Sequence, residues 1–292
     1  MIDAVVATRD SRDLVLECVE RLSSPLLERV IVVDNGSVDG TTDALRMASP
    51  GVDVVRLERP EGLSFAYNRG ADSGHAESIL FLNDDVLASH EGIAALAAAM
   101  ERPGAVATAG RLVDPTDGRT QDVYLPHAFP GPLALASALV GRPRRRVEPV
   151  EDEIVKVDQP PGACLLVRRD AFEAVGRWDE AFQFWFEDVD LARRLHAVGD
   201  VLYVPKAVFP HVGAASARRL SRAEVVARSY RGALLYAERH LGLGGRAITA
   251  PAYALAAVGR LLTTRDREGR RVYSGVLRDA LRLVAGRPLP RR

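Results

Sequence analysis

Through its first hundred residues the chain alternates short, continuous apolar runs with stretches whose apolar residues recur at helical spacing. Ala4–Thr8, Val30–Val33, Val52–Leu57 and Ile79–Leu82 read as strands, and Leu14–Leu22, Thr41–Met47, Phe65–Ala71 and Glu91–Met100 as helices. Strands that are apolar throughout, separated by helices, predict an α/β fold: a mostly parallel central sheet with helices on both faces. Ligands of such sheets bind beyond the carboxyl ends of the strands, so the polar residues that end these runs are the ones to weigh.

After Val106–Arg111 the pattern loosens. Residues from about Gly141 to Glu153 read as a charged, proline-punctuated loop, expected to be mobile. Order resumes with a strand at Gly162–Val167, a helix at Asp170–Val175, a helix from Glu187 to about Val198, and a strand at Val201–Val204. Beyond Ser221 the pattern is helical. The division expected is a catalytic domain over 1–220 and a basic, amphipathic helical extension over 221–292.

Charge sharpens that division. The chain is neutral overall, yet residues 216–292 hold 17 arginines, no lysine and five acids, so the body carries the matching negative excess. An acidic body suits metal chemistry, and a basic tail suits an anionic partner. Two isolated cysteines, Cys18 and Cys164, suggest buried thiols in a reducing compartment rather than a disulfide framework. Met1–Thr8 lacks the features of a signal peptide, and the weakly polar run Ala247–Gly259, interrupted by Pro251, is too short to span a bilayer. The expectation is a cytoplasmic protein, peripheral at most on the inner face of the plasma membrane.

Four stations carry candidate chemistry. Asp34-Asn35-Gly36-Ser37 through Thr41 ends the second strand; it suits contact with a nucleotide, or a turn followed by a helix cap. No GxGxxG follows the first strand, which counts against a dinucleotide fold. Asn83-Asp84-Asp85 ends the fourth strand, where adjacent acids fit a divalent cation or an exposed turn. Trp178–Phe186 holds five aromatics, suited to an acceptor pocket or to core, and runs into Glu187, Asp188 and Asp190 at a helix start. Asp188 shares a helix face with Leu191, Ala192 and Leu195, so it is expected to point inward as a base, with Glu187 and Asp190 flanking it. His211 closes the set; the other five histidines have no such company.

Taken together, these stations resemble the inverting family 2 glycosyltransferases of the GT-A fold, especially the bacterial rhamnosyltransferase-like branch that serves cell-envelope polysaccharides. The matching residues, in family order, are Val5–Thr8, Val32–Ser37, Gly62 through Asn68-Arg69-Gly70, Phe81–Asp85, Gly162–Val167, Glu187–Leu191, and His211 with Gly213 and Ser216. The resemblance spans about residues 1–240. It implies that Thr8 and Asp34 hold the nucleobase, that Gly62 and Asn68 lie along the nucleotide pocket, and that Asp84 touches ribose or donor sugar. It further implies Asp85 and His211 as ligands of Mn²⁺ or Mg²⁺, with Asp188 as general base. The substrates implied are a nucleoside-diphosphate-sugar donor, with rhamnose on deoxythymidine diphosphate as first choice, and a glycan, lipid-linked or small-molecule hydroxyl acceptor. Two positions depart from the family: Asn83 opens its acidic triad, and Tyr67 stands where an arginine is common.

Two other readings compete. A sugar-1-phosphate nucleotidyltransferase would carry a glycine-rich basic loop after the first strand, where Ala7–Ser11 has no glycine. A catalytically silent nucleotide-sugar-binding protein has no need of the acid pair, the inward acid and the late histidine. For the tail, Ile248–Leu262 and Val276–Val284 mix apolar residues with Arg260, Arg278 and Arg282, as a helix resting on anionic lipid does. Helices that pack on the domain or form a homodimer fit equally, and no nucleic-acid partner is expected.

Overall fold

The computed structural model describes residues 1–142, 146–147, 152–213 and 221–290. Much of the loop expected at 141–153, and Ser216, lie outside the described residues.

The predicted alternation is present as β1 (Ile2–Thr8), α1 (Arg12–Arg21), β2 (Leu27–Asp34), α2 (Thr41–Ala48), β3 (Asp53–Arg56), α3 (Leu63–Asp72), β4 (Ser78–Asn83), α4 (His90–Met100) and β5 (Ala105–Val113). Then come α5 (Pro132–Ala138), β6 (Val155–Lys156), β7 (Cys164–Arg168), α6 (Arg169–Ala174), α7 (Glu187–Leu195) and β8 (Asp200–Pro210). Three helices follow: α8 (Arg222–His240), α9 (Gly242–Thr263) and α10 (Arg267–Val284). One sheet holds all eight strands in the order β3-β2-β1-β4-β7-β5-β8-β6. Its first four strands are parallel; β7 runs antiparallel to both β4 and β5, and β6 antiparallel to β8.

The apolar strands feed two cores by simple alternation. Ala4 and Val6 of β1 pack with Cys18 of α1 and Leu96 of α4 on one face. Val5 and Ala7 pack with Ala66 and Tyr67 of α3, and with Leu191 of α7, on the other. Because side chains of a strand alternate in direction, only strands apolar at every position fill both layers. Cys18 and Cys164 are free and buried. Burial pushes both thiols up, which keeps them inert.

A third core joins the tail to the body: Leu234 and Tyr236 of α8, Ala257 of α9 and Leu283 of α10 pack with Leu135, Phe182 and Val189. The helices after 221 thus pack directly on the segment that bears α7. The elements missed by periodicity, α5 and β6, have seven and two residues, too short to show a period. Among the described residues, no helix is long and apolar enough to cross a membrane.

Candidate active site

Pairing brings the strand ends together. Thr8 lies opposite Asp34, Ala7 opposite Asn83, and Leu82 opposite Cys164. Two cavities adjoin at this rim, sharing Leu63 and Phe184. One, of about 420 Å³, is lined by Thr8, Arg9, Asn35, Glu61, Gln183 and Arg228. The other, of about 330 Å³, is lined by Tyr67, Tyr124, Gln159, Trp185, Glu187 and Asp188. Arg228 lines the first cavity and Ser229 the second, and both come from α8. Nothing in the spacing of Arg228 or Ser229 marks them in the sequence; they reach the rim only because α8 packs back on the body.

Some expected residues line these cavities and others stand behind them. Thr8 faces the larger one and donates a hydrogen bond to Asp84 Oδ2 at 2.7 Å. Asp34 departs from the expected contact with a base. It has no exposed surface, and its carboxylate accepts from the Ser37 amide at 2.9 Å, from the Thr42 hydroxyl, and from Arg56 at 3.3 Å. Asp34 thus holds the loop in shape, while its neighbour Asn35 lines the cavity, gripped on both sides of its amide by the Glu61 backbone. Gly36 in that loop has φ +71° and would place a Cβ 2.7 Å from Arg59 and Pro60 backbone atoms, so only glycine fits. Asn68 departs likewise: its amide bonds the Trp178 backbone through both N–H and C=O, and also Glu180. Gly62 permits a close approach to Gln183, whose carbonyl accepts from the Leu63 amide at 3.1 Å. Asn68 and Gly62 therefore position the 178–183 segment that walls the cavities. The two departures from the family pattern touch, since the Tyr67 hydroxyl donates to Asn83 Oδ1 at 3.0 Å.

Asp85 and His211 meet under the rim, 4% and 1% exposed. His211 Nε2 is 3.2 Å from Asp85 Oδ1, yet neither atom has a hydrogen-bond partner. The tautomer follows from Gln121. Its Nε2 donates to the His211 carbonyl at 2.7 Å, so its Oε1 must be the atom 2.7 Å from Nδ1, and Nδ1 carries the proton. In a neutral imidazole Nε2 then presents a lone pair toward a carboxylate oxygen, and the two buried acceptors face each other, an arrangement that a shared cation resolves. Among the described residues, no three His, Cys, Asp or Glu side chains form a complete metal cage. Tyr124 stands edge-on to His211 with ring centroids 4.6 Å apart and lines the smaller cavity. Its hydroxyl is pushed up by burial and then by the charges of Asp85 and Asp188.

The start of α7 differs from expectation in which acid is buried. Asp190, expected to flank, is 1% exposed and forms the hub of an ion-pair cluster: Arg194 at 2.9 Å through Nε, and His240 of α8 at 2.7 Å. Helical spacing does not reveal a partner 50 residues away, and nothing around His240 in the sequence marks it for this contact. Asp188 is half-buried and lines the smaller cavity, where its Oδ2 accepts from Gln159 Nε2 at 3.2 Å. A Cβ on Gly162 would lie 2.7 Å from the Asp188 Cβ, so the glycine lets the carboxylate approach the β7 turn. The aromatics divide between both anticipated roles. Trp178 and Phe182 are core, Trp178 also edging the smaller cavity, which Phe184, Trp185 and Phe186 line. Trp185 and Phe186 have φ of +67° and +71°, a strained pair that turns the chain into α7. Gly232 of α8 packs on this turn, where a Cβ would lie 2.6 Å from the Trp185 carbonyl oxygen.

Glu187 shares the cavity with Asp188, and its buried Oε2 has no hydrogen-bond partner. Burial first, and the charge of Asp188 second, push this carboxyl up to about 8. The fold thus binds a proton that the unfolded chain releases near its ordinary carboxylate range. Its stabilising contribution is full below that range, falls as pH rises through it, and is gone above about 8. Glu187→Gln removes the dependence. Without donor or metal, the variant should match the native protein in thermal unfolding near pH 4.5. It should be the more stable of the two at pH 8, by roughly 1 kcal/mol or more. Equal stability of the two proteins at pH 8 would show Glu187 ionising normally.

Comparison with known proteins agrees with this architecture. The model of the family described as "Glycosyl transferase family 2" matches residues 3–176. An N-acetylglucosaminyl-diphospho-decaprenol L-rhamnosyltransferase of Mycobacterium tuberculosis is 32% identical over 238 residues, 73% of this chain and 76% of that protein. The O-antigen biosynthesis protein RfbC of Myxococcus xanthus is 27% identical over 68% of this chain and 16% of its own length. Among solved structures, GalNAc-T7 with UDP, GalNAc and Mn²⁺ superposes with TM-score 0.65 at 15% identity, over 99% of this chain and 58% of that one. The mannosyltransferase PcManGT of Pyrobaculum calidifontis, bound to GDP-Man and Mn²⁺, gives 0.56 at 16% identity, over 97% and 85% of the two chains. With the family model matching residues 3–176 and a rhamnosyltransferase relative 32% identical over 73% of this chain, the chain belongs to glycosyl transferase family 2, as a glycosyltransferase of the rhamnosyltransferase-like branch.

Proposed function

We propose that this transferase moves a sugar, rhamnose by its likeness to the rhamnosyltransferase relative, from a nucleoside-diphosphate donor to a hydroxyl of a lipid-linked glycan, in one inverting displacement. The facing acceptors of Asp85 and His211, beside a cavity walled by Asp188, carry the reading. The nucleotide occupies the larger cavity, with its base between Thr8 and Asn35 and its diphosphate toward Arg228, whose half-buried guanidinium suits phosphate oxygens. Asp34 serves the base through the loop that it braces. Asp84, oriented by Thr8, takes a ribose or sugar hydroxyl.

Asp85 and His211 would hold a Mn²⁺ or Mg²⁺ ion. Held there, it would supply Lewis-acid stabilisation for the charge that grows on the leaving diphosphate. Gln121 keeps His211 in the tautomer that presents Nε2. Asp188 takes the proton of the acceptor hydroxyl as that oxygen attacks the anomeric carbon from the side opposite the leaving group. Phe184, Trp185 and Phe186 offer faces on which a sugar ring stacks. The relative from M. tuberculosis, whose name specifies a decaprenol-linked acceptor, supports a lipid-linked acceptor here.

A panel of nucleoside diphosphates, tested by thermal shift with Mn²⁺, checks the donor assignment. A binder at 100 times its Kd should add about 2.7 kcal/mol of stability. Deoxythymidine diphosphate is expected to give the largest shift, and a panel without any shift would remove the donor assignment.

A further inference from the structure

α9 displays an apolar stripe that none of the described residues covers. Ile248, Pro251, Leu255, Val258 and Leu262 recur at alternating spacings of three and four, and all are exposed; Leu255 and Leu262 are 74% and 83% exposed. Spacing of this kind places them on one helical face, over a length of about 21 Å. The opposite face, through Tyr253 and Ala257, is buried in the third core. No charged residue occurs between Arg246 and Arg260. α10 packs beside α9, and both helices pack on α8. The exposed face of α10 is of another kind: Arg267, Arg271 and Arg278 follow one another at spacings of four and seven, with Arg270 alongside and Arg265 at the connection. Its buried acid, Asp279, is already held by Arg231 of α8 at 2.5 Å.

We propose that α9 and α10 form a docking surface for an anionic lipid bilayer, with the α9 stripe seated among acyl chains and the α10 arginines on the headgroups. An apolar stripe beside a basic one is the composition of a helix that lies in a membrane interface. The run on α9 does not reach the length or apolarity of a spanning helix, so the helix lies on the surface. A second copy of this chain is a poorer occupant. A twofold contact sets each patch against itself, which brings the arginines of α10 toward their equivalents with few acids to offset them. Anionic headgroups complement that charge instead, and each arginine near such a surface raises affinity roughly fivefold. The surface stands on these two helices alone. Its bearing on the acceptor, which would be met at the bilayer, rests on the proposed function.

Sedimentation of the full chain with vesicles tests the assignment. Native protein should bind phosphatidylglycerol-containing vesicles, bind pure phosphatidylcholine vesicles at least about tenfold more weakly, and lose affinity as salt rises. Leu255→Glu with Leu262→Glu, and separately Arg271→Glu with Arg278→Glu, should each lower binding to the anionic vesicles by roughly tenfold or more. Both variants should keep the native nucleotide-induced thermal shift, because the altered residues are exposed and line neither cavity. Absence of binding to anionic vesicles by the native protein would overturn the proposal. So would vesicle binding unchanged in both variants, or a stable dimer that the Leu255 and Leu262 substitutions dissociate. None of these outcomes would alter a nucleotide shift, so failure of the surface is distinguishable from failure of the donor assignment.

Discussion

Asp188→Asn is expected to lower turnover by roughly a hundredfold or more, the scale at which a positioned general base contributes. The substitution keeps the size of the side chain, and an amide still accepts the bond from Gln159. What it removes is the ability to take a proton. Donor affinity should stay near the native value, because Asp188 lines the smaller cavity and not the one assigned to the nucleotide. The product of the native enzyme should have the anomeric configuration opposite to that of the donor, read from NMR coupling constants. Retention would rule out a single displacement. Turnover close to native in Asp188→Asn would move the base to Glu187, whose raised carboxyl is otherwise protonated through much of the neutral range.

The second large effect concerns the pair beneath the rim. Asp85→Ala and His211→Ala should each abolish detectable transfer and the metal-dependent part of nucleotide binding, leaving the far-ultraviolet circular dichroism unchanged. EDTA should do the same to the native protein, reversibly on adding Mn²⁺. Gln121→Leu gives a graded control, since it leaves both proposed ligands in place and removes the bond that fixes the His211 tautomer. A loss of about ten- to a hundredfold in metal affinity is expected, the usual effect of removing such an orienting partner. Full activity in EDTA would exclude the metal, and a Gln121 variant with native metal affinity would separate the tautomer from the binding.

The parallel half of the fold is legible in the sequence because the middles of β1, β2 and β4 (Ala4–Ala7, Val30–Val33 and Ile79–Leu82) are apolar without a break, a pattern that a sheet buried on both faces explains. Strand-end logic then leads directly to Thr8, Asp84 and Asp85. It is weaker at Asp34, where the same strand-end position holds a carboxylate turned into a network with Arg56 and Thr42 rather than toward the cavity. Helical periodicity places Asp188 at the wall but mistakes Asp190, because burial there is decided by Arg194 and His240 and not by the leucines of the same helix. Arg228 and Ser229 are illegible for a related reason. Their function depends on how α8 returns to the body, which is a tertiary fact with no local signature.

The antiparallel insertion of β7 between β4 and β5 has a consequence for synthesis. β4 ends at Asn83 and its partner β7 at Arg168, so about 85 residues must follow β4 before its free edge can be covered. At roughly 5–20 residues per second, the ribosome leaves the apolar edge Ile79–Leu82 unpaired for about 4–17 seconds. An uncovered strand edge of this kind is a template for pairing with other chains. The nascent chain therefore passes through a window in which a holding chaperone, or slow release from the exit tunnel, decides its yield. Shortening the segment between β4 and β7 should narrow that window, provided that Asp84, Asp85, Gln121 and the cavity-lining stretches 123–127 and 159–163 keep their places.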